Sequence, residues 1–304
     1  MEYVLEANNI VKKYKKNLVL SNLNLHIEKG AIYGLIGKNG AGKTTLMRVI
    51  CGLQKTTNGT YTIYKISSES SKIIEARKRM GAIIESPSIY LDMTAEENLK
   101  IQYKILGISN YKSIYDILKL VGLAETGKKK VKTFSLGMKQ RLGIAIALAG
   151  NHDFLILDEP INGLDPEGII EIRELILKLN KEKNITFLIS SHYLDELSKI
   201  ATNYGFLNNG QIIKEITSKE LEKNCKRIVE INVNNVEECT KYLKNEKIDF
   251  EVITDKLINI YDKVNISELV VGLSNKNCVI NDFHEKEETL EEYYINLIGG
   301  NNNV

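Results

Sequence analysis

Residues 31–45 read Ala31-Ile32-Tyr33-Gly34-Leu35-Ile36-Gly37-Lys38-Asn39-Gly40-Ala41-Gly42-Lys43-Thr44-Thr45. The second part matches G-x-x-x-x-G-K-[ST] in full. The first part is a short apolar run ending in glycine, which suits a buried central strand, and residues 44–51 beyond it read as a helix. Strand, glycine loop and helix in that order form a phosphate-binding unit. Gly37, Gly40 and Gly42 let the backbone curl, so that successive N–H groups, those of Asn39 and Ala41 among them, converge on phosphate oxygens. The positive end of the following helix faces the same anion. Lys43 is placed for the β and γ phosphates of a nucleotide, the Thr44 hydroxyl for Mg2+, and Thr45 for a further phosphate. The loop alone implies nucleotide hydrolysis and nothing narrower.

A second signal lies at Phe154-Leu155-Ile156-Leu157-Asp158-Glu159. A buried strand delivers Asp158 at its C-terminal end, where ligands of open α/β sheets collect. Asp158 is the expected Mg2+ holder, and Glu159, one residue on, is placed to polarise an attacking water. An isolated acidic pair after a strand is ordinarily a solvated turn. Paired with a phosphate loop, it reads as part of the site.

The third signal, Phe134-Ser135-Leu136-Gly137-Met138-Lys139-Gln140-Arg141, opens a helix rich in Ala, Ile and Leu. It resembles the signature motif of ABC ATPases, with Ser135, Gly137 and Gln140 as its site residues. The family's usual third and fourth residues are both glycine; here they are Leu136 and Gly137, followed by Met138. The resemblance implies that this helix start meets the γ-phosphate bound to a second ATPase subunit, identical or closely related, so that two chains sandwich two ATP molecules. Further elements follow the family's order. Asn162-Gly163-Leu164-Asp165-Pro166 resembles the loop that carries an interface aspartate, Asp165. Ser190-Ser191-His192 places His192 as the residue that contacts the γ-phosphate and holds the water and Glu159. Tyr14 matches the aromatic that stacks on adenine. Resemblance therefore makes Lys43, Glu159 and His192 the catalytic set, with ATP and Mg2+ as cofactors.

One position departs from the family. Gly81-Ala82-Ile83-Ile84-Glu85-Ser86-Pro87 has Glu85 where glutamine is usual. Glutamate can still ligate Mg2+ and accept from water, but when ionised it cannot donate an amide hydrogen bond. Glu85, the later Thr94-Ala95-Glu96-Glu97-Asn98-Leu99, and the stretch Thr289-Leu290-Glu291-Glu292-Tyr293-Tyr294-Ile295-Asn296-Leu297-Ile298-Gly299-Gly300 together resemble bacitracin-resistance and lantibiotic-immunity transporters. That implies an energising subunit for export of a peptide antibiotic. Export of another small molecule or ion is the alternative. A soluble ABC ATPase acting on ribosomes or DNA would ordinarily carry two ATPase domains or a long coiled-coil insertion, and neither is seen here.

The remaining organisation is consistent with an α/β fold. Residues 4–11, 19–27 and 60–63 read as strands, 95–149 carry helical periodicity, and 185–190 form a second apolar strand between helices at 166–180 and 193–201. The expectation is an ABC ATPase domain over 1–215, a mixed sheet flanked by helices with a helical subdomain near 86–150. Residues 216–304 form a small α+β domain whose order βαββαβ is the ferredoxin-like pattern, closed by a helix at 289–298.

Composition excludes several classes. The chain of 304 residues has a net charge of +2, which points away from nucleic acid. No segment reaches the ~18 apolar residues of a bilayer crossing. The start Met1-Glu2-Tyr3-Val4 lacks the basic and apolar regions of a secretory leader. The expected location is the cytoplasmic face of the cell membrane, held there by a permease on separate chains. Cys51, Cys225, Cys239 and Cys278 form no C-x-x-C pair, and the four histidines show no metal-ligand spacing.

Overall fold

A computed structural model of the chain describes residues 2–225, 227–262 and 264–299. Gly300, the last residue of the C-terminal stretch quoted above, lies outside the described residues. The chain divides between Lys219 and Glu220 into two compact units, a few residues past the expected change of character. The last strand of the first unit runs to Thr217 and accounts for the difference.

The first unit contains two sheets. Strands β1 (Tyr3–Tyr14), β2 (Asn17–Glu28), β4 (Asn58–Ile63) and β5 (Ile66–Ser67) form an antiparallel sheet in the order β2-β1-β4-β5. Strands β3 (Ile32–Ile36), β6 (Met80–Ile83), β7 (Phe154–Asp158), β8 (Thr186–Ser190), β9 (Asn203–Asn208) and β10 (Gln211–Thr217) form the central sheet, in the order β10-β9-β3-β8-β7-β6. Its pairs from β9 to β6 are parallel, and β10 adds an antiparallel edge. The sequence patterns explain the split. Every residue of β3, β7 and β8 is buried, as parallel strands covered on both faces must be, whereas β1 and β2 mix buried with half-exposed positions.

The α-helices described in this unit are α1 (Lys43–Ile50), α2 (Ile73–Arg77), α3 (Ala95–Ile105), α4 (Ser113–Leu120), α5 (Leu136–Leu148), α6 (Pro166–Lys183), α7 (Leu194–Ser198) and α8 (Ser218–Asn224), the last straddling its end. The helical stretch expected over 95–149 is made of α3, α4 and α5, with short 3-10 turns at Ala124–Thr126 and Val131–Thr133 between the last two. Gly107 and Gly122, at φ of 72° and 69°, follow the ends of α3 and α4 and stop them. Such left-handed glycines are the usual terminators of helices. Helix α3 starts with a capping box in which Thr94 and Glu97 each accept from the other's backbone N–H. The Thr94 N–H, helped by Lys130, holds the Glu97 carboxyl below the usual carboxylate range. A core of β1, β2 and α1 residues, among them Leu5, Leu25, Leu46 and Met47, joins Phe154 and Leu188 of the central sheet. Tyr33 is fully buried there; burial, with Glu215 beside it, pushes its phenol well above its ordinary value.

In the second unit, β11 (Arg227–Val233), α9 (Val236–Asn245), β12 (Phe250–Val252), β13 (Leu257–Ile260), α10 (Ile266–Ser274) and β14 (Ile280–Glu287) are followed by α11 (Leu290–Gly299). The sheet order β12-β13-β11-β14 is antiparallel throughout and places the first and third strands at the centre. Val229, Ile231, Ile258 and Ile260 pack with Cys239, Leu243, Leu269 and Leu273 of α9 and α10. Burial pushes the Cys239 thiol up to about 12. Among the described residues no helix is long and apolar enough to cross a membrane.

Gly81 is a point of very close approach between helix and sheet in the first unit. A Cβ there would overlap the Ala147 carbonyl oxygen of α5. Gly81→Ala must push α5 off β6, and we expect a loss of about 1–3 kcal/mol of stability, read as a lower urea midpoint at unchanged slope.

Candidate functional site

The C-terminal ends of β3, β7 and β8 lie side by side, and the site is assembled from the segments that leave them. After β3 the chain turns through Gly40 and Gly42, at φ of 82° and 111°, into α1. Gly42 is the N-cap, so no side chain caps α1 and its first turn carries no acidic residue. Its leading N–H groups are therefore available, and an anion is their natural complement. A Cβ at Gly37 would meet the Leu207 carbonyl oxygen at 2.6 Å, whereas one at Gly40 meets nothing within 4 Å. The loop is thus pressed onto its support on one side and open at Gly40. Asn39 and Gly40 are exposed, Ala41 is buried and Thr45 half-buried.

Lys43 is only 6% exposed. Its ammonium donates to the Gly37 carbonyl at 2.6 Å and lies 3.6 Å from Glu159 Oε1. The Thr44 hydroxyl donates to Asp158 Oδ2 at 2.8 Å, and the Ser190 hydroxyl donates to Asp158 Oδ1 at 2.5 Å. Asp158 is 4% exposed, so both oxygens of a buried carboxylate are satisfied by hydroxyls. The next residue, Glu159, takes φ of 51°. A non-glycine residue adopts this left-handed conformation only when its surroundings hold it. They do: its N–H donates to Ser190 Oγ at 3.0 Å, and its Oε2 accepts from the His192 N–H at 3.2 Å and meets His192 Nδ1 at 2.6 Å. Lys43, Thr44, Asp158, Glu159 and His192 are therefore one connected cluster.

Ser190 joins that cluster without having been assigned a part from the sequence. The available signal was a hydroxyl at the end of a wholly buried strand, directly opposite Asp158 in the β7–β8 register. Helix α7 follows His192, and there the Lys199 ammonium, with Arg173 at 2.7 Å, holds the Glu196 carboxyl below the usual carboxylate range against a smaller effect of burial.

The signature residues stand elsewhere. Ser135 is the N-cap of α5 and accepts from the Met138 N–H at 3.2 Å, so its hydroxyl serves its own helix here. Gly137 is buried, and a Cβ on it would sit in ordinary contact with Gly168 at 3.8 Å and Leu164 at 3.9 Å; Gln140 is half-buried. Asp165 caps α6 by accepting from the Gly168 N–H at 3.3 Å. The structure thus groups Ser135, Gly137 and Asp165 around the adjoining starts of α5 and α6.

Glu85 follows β6 with φ of 67°, is exposed, and accepts from Arg48 Nη2 of α1 at 2.6 Å. To ligate a metal it would first have to leave Arg48. Tyr14 ends β1 with an exposed ring; its hydroxyl donates to Gln54, and the Lys12 ammonium lies 5.0 Å from the ring centroid.

Ser190→Ala removes the donor to Asp158 Oδ1 and leaves a buried carboxylate oxygen without it. We expect a cost of about 1–3 kcal/mol in denaturation. The Glu159 N–H would keep the Ser190 carbonyl, 3.2 Å away, as its partner.

A hard-oxygen pair beside an uncapped helix and a buried lysine suits a nucleotide with its metal. Comparison with known proteins agrees. The family model for the ABC transporter matches residues 20–162. The bacitracin transport ATP-binding protein BcrA of Enterococcus faecalis is 40% identical over 99% of this chain and 98% of its own. The lantibiotic transport ATP-binding protein SrtF of Streptococcus pyogenes is 44% identical over 70% of this chain and 90% of its own. Among solved structures, the dimeric post-hydrolysis state of the ATP-binding cassette MJ0796, bound to ADP and Pi, is 27% identical with a TM-score of 0.62, covering 70% of this chain and 98% of that one. The chain belongs to the ATP-binding subunits of ABC transporters, ATPases that couple hydrolysis to transport.

Proposed function

We propose that this subunit powers an exporter that removes a peptide antibiotic of the bacitracin or lantibiotic type from the cell membrane, giving resistance or self-immunity. The observation that carries this reading is the likeness to BcrA across 99% of the chain, which takes in both compact units. The partners of such a subunit are a permease on separate chains and a second ATPase subunit, and its place is the cytoplasmic face of the membrane.

The arrangement of the site supports specific roles. Lys43 moves from Gly37 and Glu159 to the β and γ phosphates, exchanging a carboxylate neighbour for a more highly charged one. Glu159 is then free to orient and polarise the attacking water, while the His192 backbone and ring keep its carboxylate in place. Thr44 and Asp158, a hydroxyl and a carboxylate 2.8 Å apart, are the residues that would hold Mg2+. Oxygen donors of these two kinds are what this ion takes. When bound, the ion neutralises charge developing on the phosphate oxygens. Glu85 joins them only on release from Arg48. In the dimer, Ser135, Gly137, Gln140 and Asp165 of one chain would face the nucleotide held by the loop of the other, with Tyr14 against the adenine. Closure is favoured because ATP touches both halves, which is the differential affinity a population shift needs.

Glu159→Gln is expected to lower kcat by about 10²–10⁴-fold and to trap an ATP-bound dimer on size exclusion. A variant that turns over normally would remove the base assignment. Lys43→Ala should abolish turnover, and chelating Mg2+ should do so in the wild type. Deleting the gene should raise sensitivity to bacitracin or to a lantibiotic; unchanged sensitivity to every member of both groups sinks the cargo reading while leaving the ATPase intact.

A further inference from the structure

Arg141 closes the signature segment and takes no part in the site described above, yet its side chain is only 16% exposed and meets two other helices. It stands on α5 and reaches the end of α4 on one side and α6 on the other. Nη1 donates to the carbonyl of Val121, the C-cap of α4, at 3.4 Å. Nη2 lies 3.3 Å from Glu171 Oε2 of α6. A helix C-terminus and a carboxylate are both suited to a cation. Gly122 keeps the first approach open, since a Cβ there would lie 2.8 Å from Nη1. Nε is buried with no acceptor among the described residues. A buried donor left unpaired is a cost, and the other two nitrogens hold the guanidinium in place against it.

The starts of α5 and α6 are joined at two further points. A Cβ on Gly137 would sit 3.8 Å from the Gly168 Cα, so the helices approach there with only glycine between them. A Cβ on Gly163, in the loop leading to α6, would stand 3.4 Å from Leu136. Arg141 lies as far beyond Ser135, the N-cap of α5, as Glu171 lies beyond Asp165, the N-cap of α6. The contacts thus advance together along both segments, and the two helix starts lie side by side pointing the same way. Two positive helix ends so placed repel one another, and an ion pair between the helices offsets that.

We propose that Arg141 is a positioning residue for ATP-driven dimerisation. By tying α5 to α6 through Glu171 and to α4 through Val121, it fixes Ser135 and Gly137 relative to Asp165. The three then reach a second copy of the chain as one preformed face. This rests on the reading above, in which those residues meet the nucleotide held by the other subunit. Preformation matters because ordering a face at the moment of contact takes free energy away from association. Neither Arg141 nor Glu171 bonds to Lys43, Thr44 or Asp158 among the described residues, so the chain's own nucleotide is held without the tie.

The test uses the full chain carrying Glu159→Gln, in which ATP is expected to hold a dimer. Glu171 is 43% exposed, so Glu171→Gln removes the charge without disturbing the core. Sedimentation velocity over a protein dilution series with saturating ATP reads the dimer dissociation constant. Anisotropy of a fluorescent ATP analogue, at protein concentrations below that constant, reads the nucleotide affinity of the single chain and reports that it is folded. Glu171→Gln and Arg141→Gln should each raise the dimer dissociation constant about tenfold, since two ties are lost in each dimer. The double variant should be no weaker than the weaker single one, and nucleotide affinity of the single chain should not change. Arg141→Lys, which keeps a cation beside Glu171, should recover most of the loss. An unchanged dissociation constant in Glu171→Gln, additive losses in the double variant, or an equal loss of single-chain nucleotide affinity overturns the proposal. A Glu159→Gln parent that forms no ATP-dependent dimer overturns the dimer reading along with it, which tells the two failures apart.

Discussion

A carboxylate out of contact with water must be given hydrogen-bond donors, and Asp158 is the residue whose needs the first unit is arranged to meet. Its two oxygens are reached by hydroxyls from different elements, Thr44 on α1 and Ser190 at the end of β8. Both must arrive at one edge of the sheet, which parallel pairing of β7 with β8 and of β8 with β3 achieves. Register matters as much as direction. A slip of one residue between β7 and β8 would set Ile189 opposite Asp158 and turn the Ser190 side chain to the other face. The same Ser190 oxygen also takes the Glu159 N–H, so the strained backbone of Glu159 is held by the group that satisfies Asp158.

The resting charge balance follows from this assembly. Lys43 is buried and lies in the first turn of α1, where the helix dipole disfavours a cation. The Gly37 carbonyl and the Glu159 carboxylate compensate it. On the proposed reading, phosphate would offer the same lysine a better partner and the uncapped helix its missing anion. The loop is therefore compensated in its present shape, and a highly charged anion is the ligand that would displace those partners.

Much of this was legible in the residues because the governing chemistry is local. The glycine loop requires φ values that its spacing of glycines supplies, and the short apolar runs at β3, β7 and β8, bounded by glycine and polar residues, suit a covered parallel sheet. The order βαββαβ was likewise readable from alternation and helical period. What sequence could not provide is partnership across long separations. Nothing in residues 4–11 or 19–27 says that they pair with 58–63 in a sheet of their own rather than extending the central one. The same holds for Ser190 beneath Asp158, for Arg48 on Glu85, and for the Ser135 hydroxyl engaged by its own helix. Each depends on which short polar side chain a neighbouring element happens to present.

Gly81 has a mechanical meaning as well as a packing one. Its lack of a side chain lets the far end of α5 rest directly on β6, at Ala147, while the near end carries Ser135 and Gly137. The helix spans 13 residues. At the usual rise that is about 20 Å. The contact at Gly81 is one of backbone with backbone, so no side chain lies between strand and helix to take up a shift. A tilt of about 10° there would carry the signature end roughly 3 Å, by the same helix length. On the proposed reading, a small shift of the edge strand would be passed along the rigid helix to the end that meets the second subunit's nucleotide.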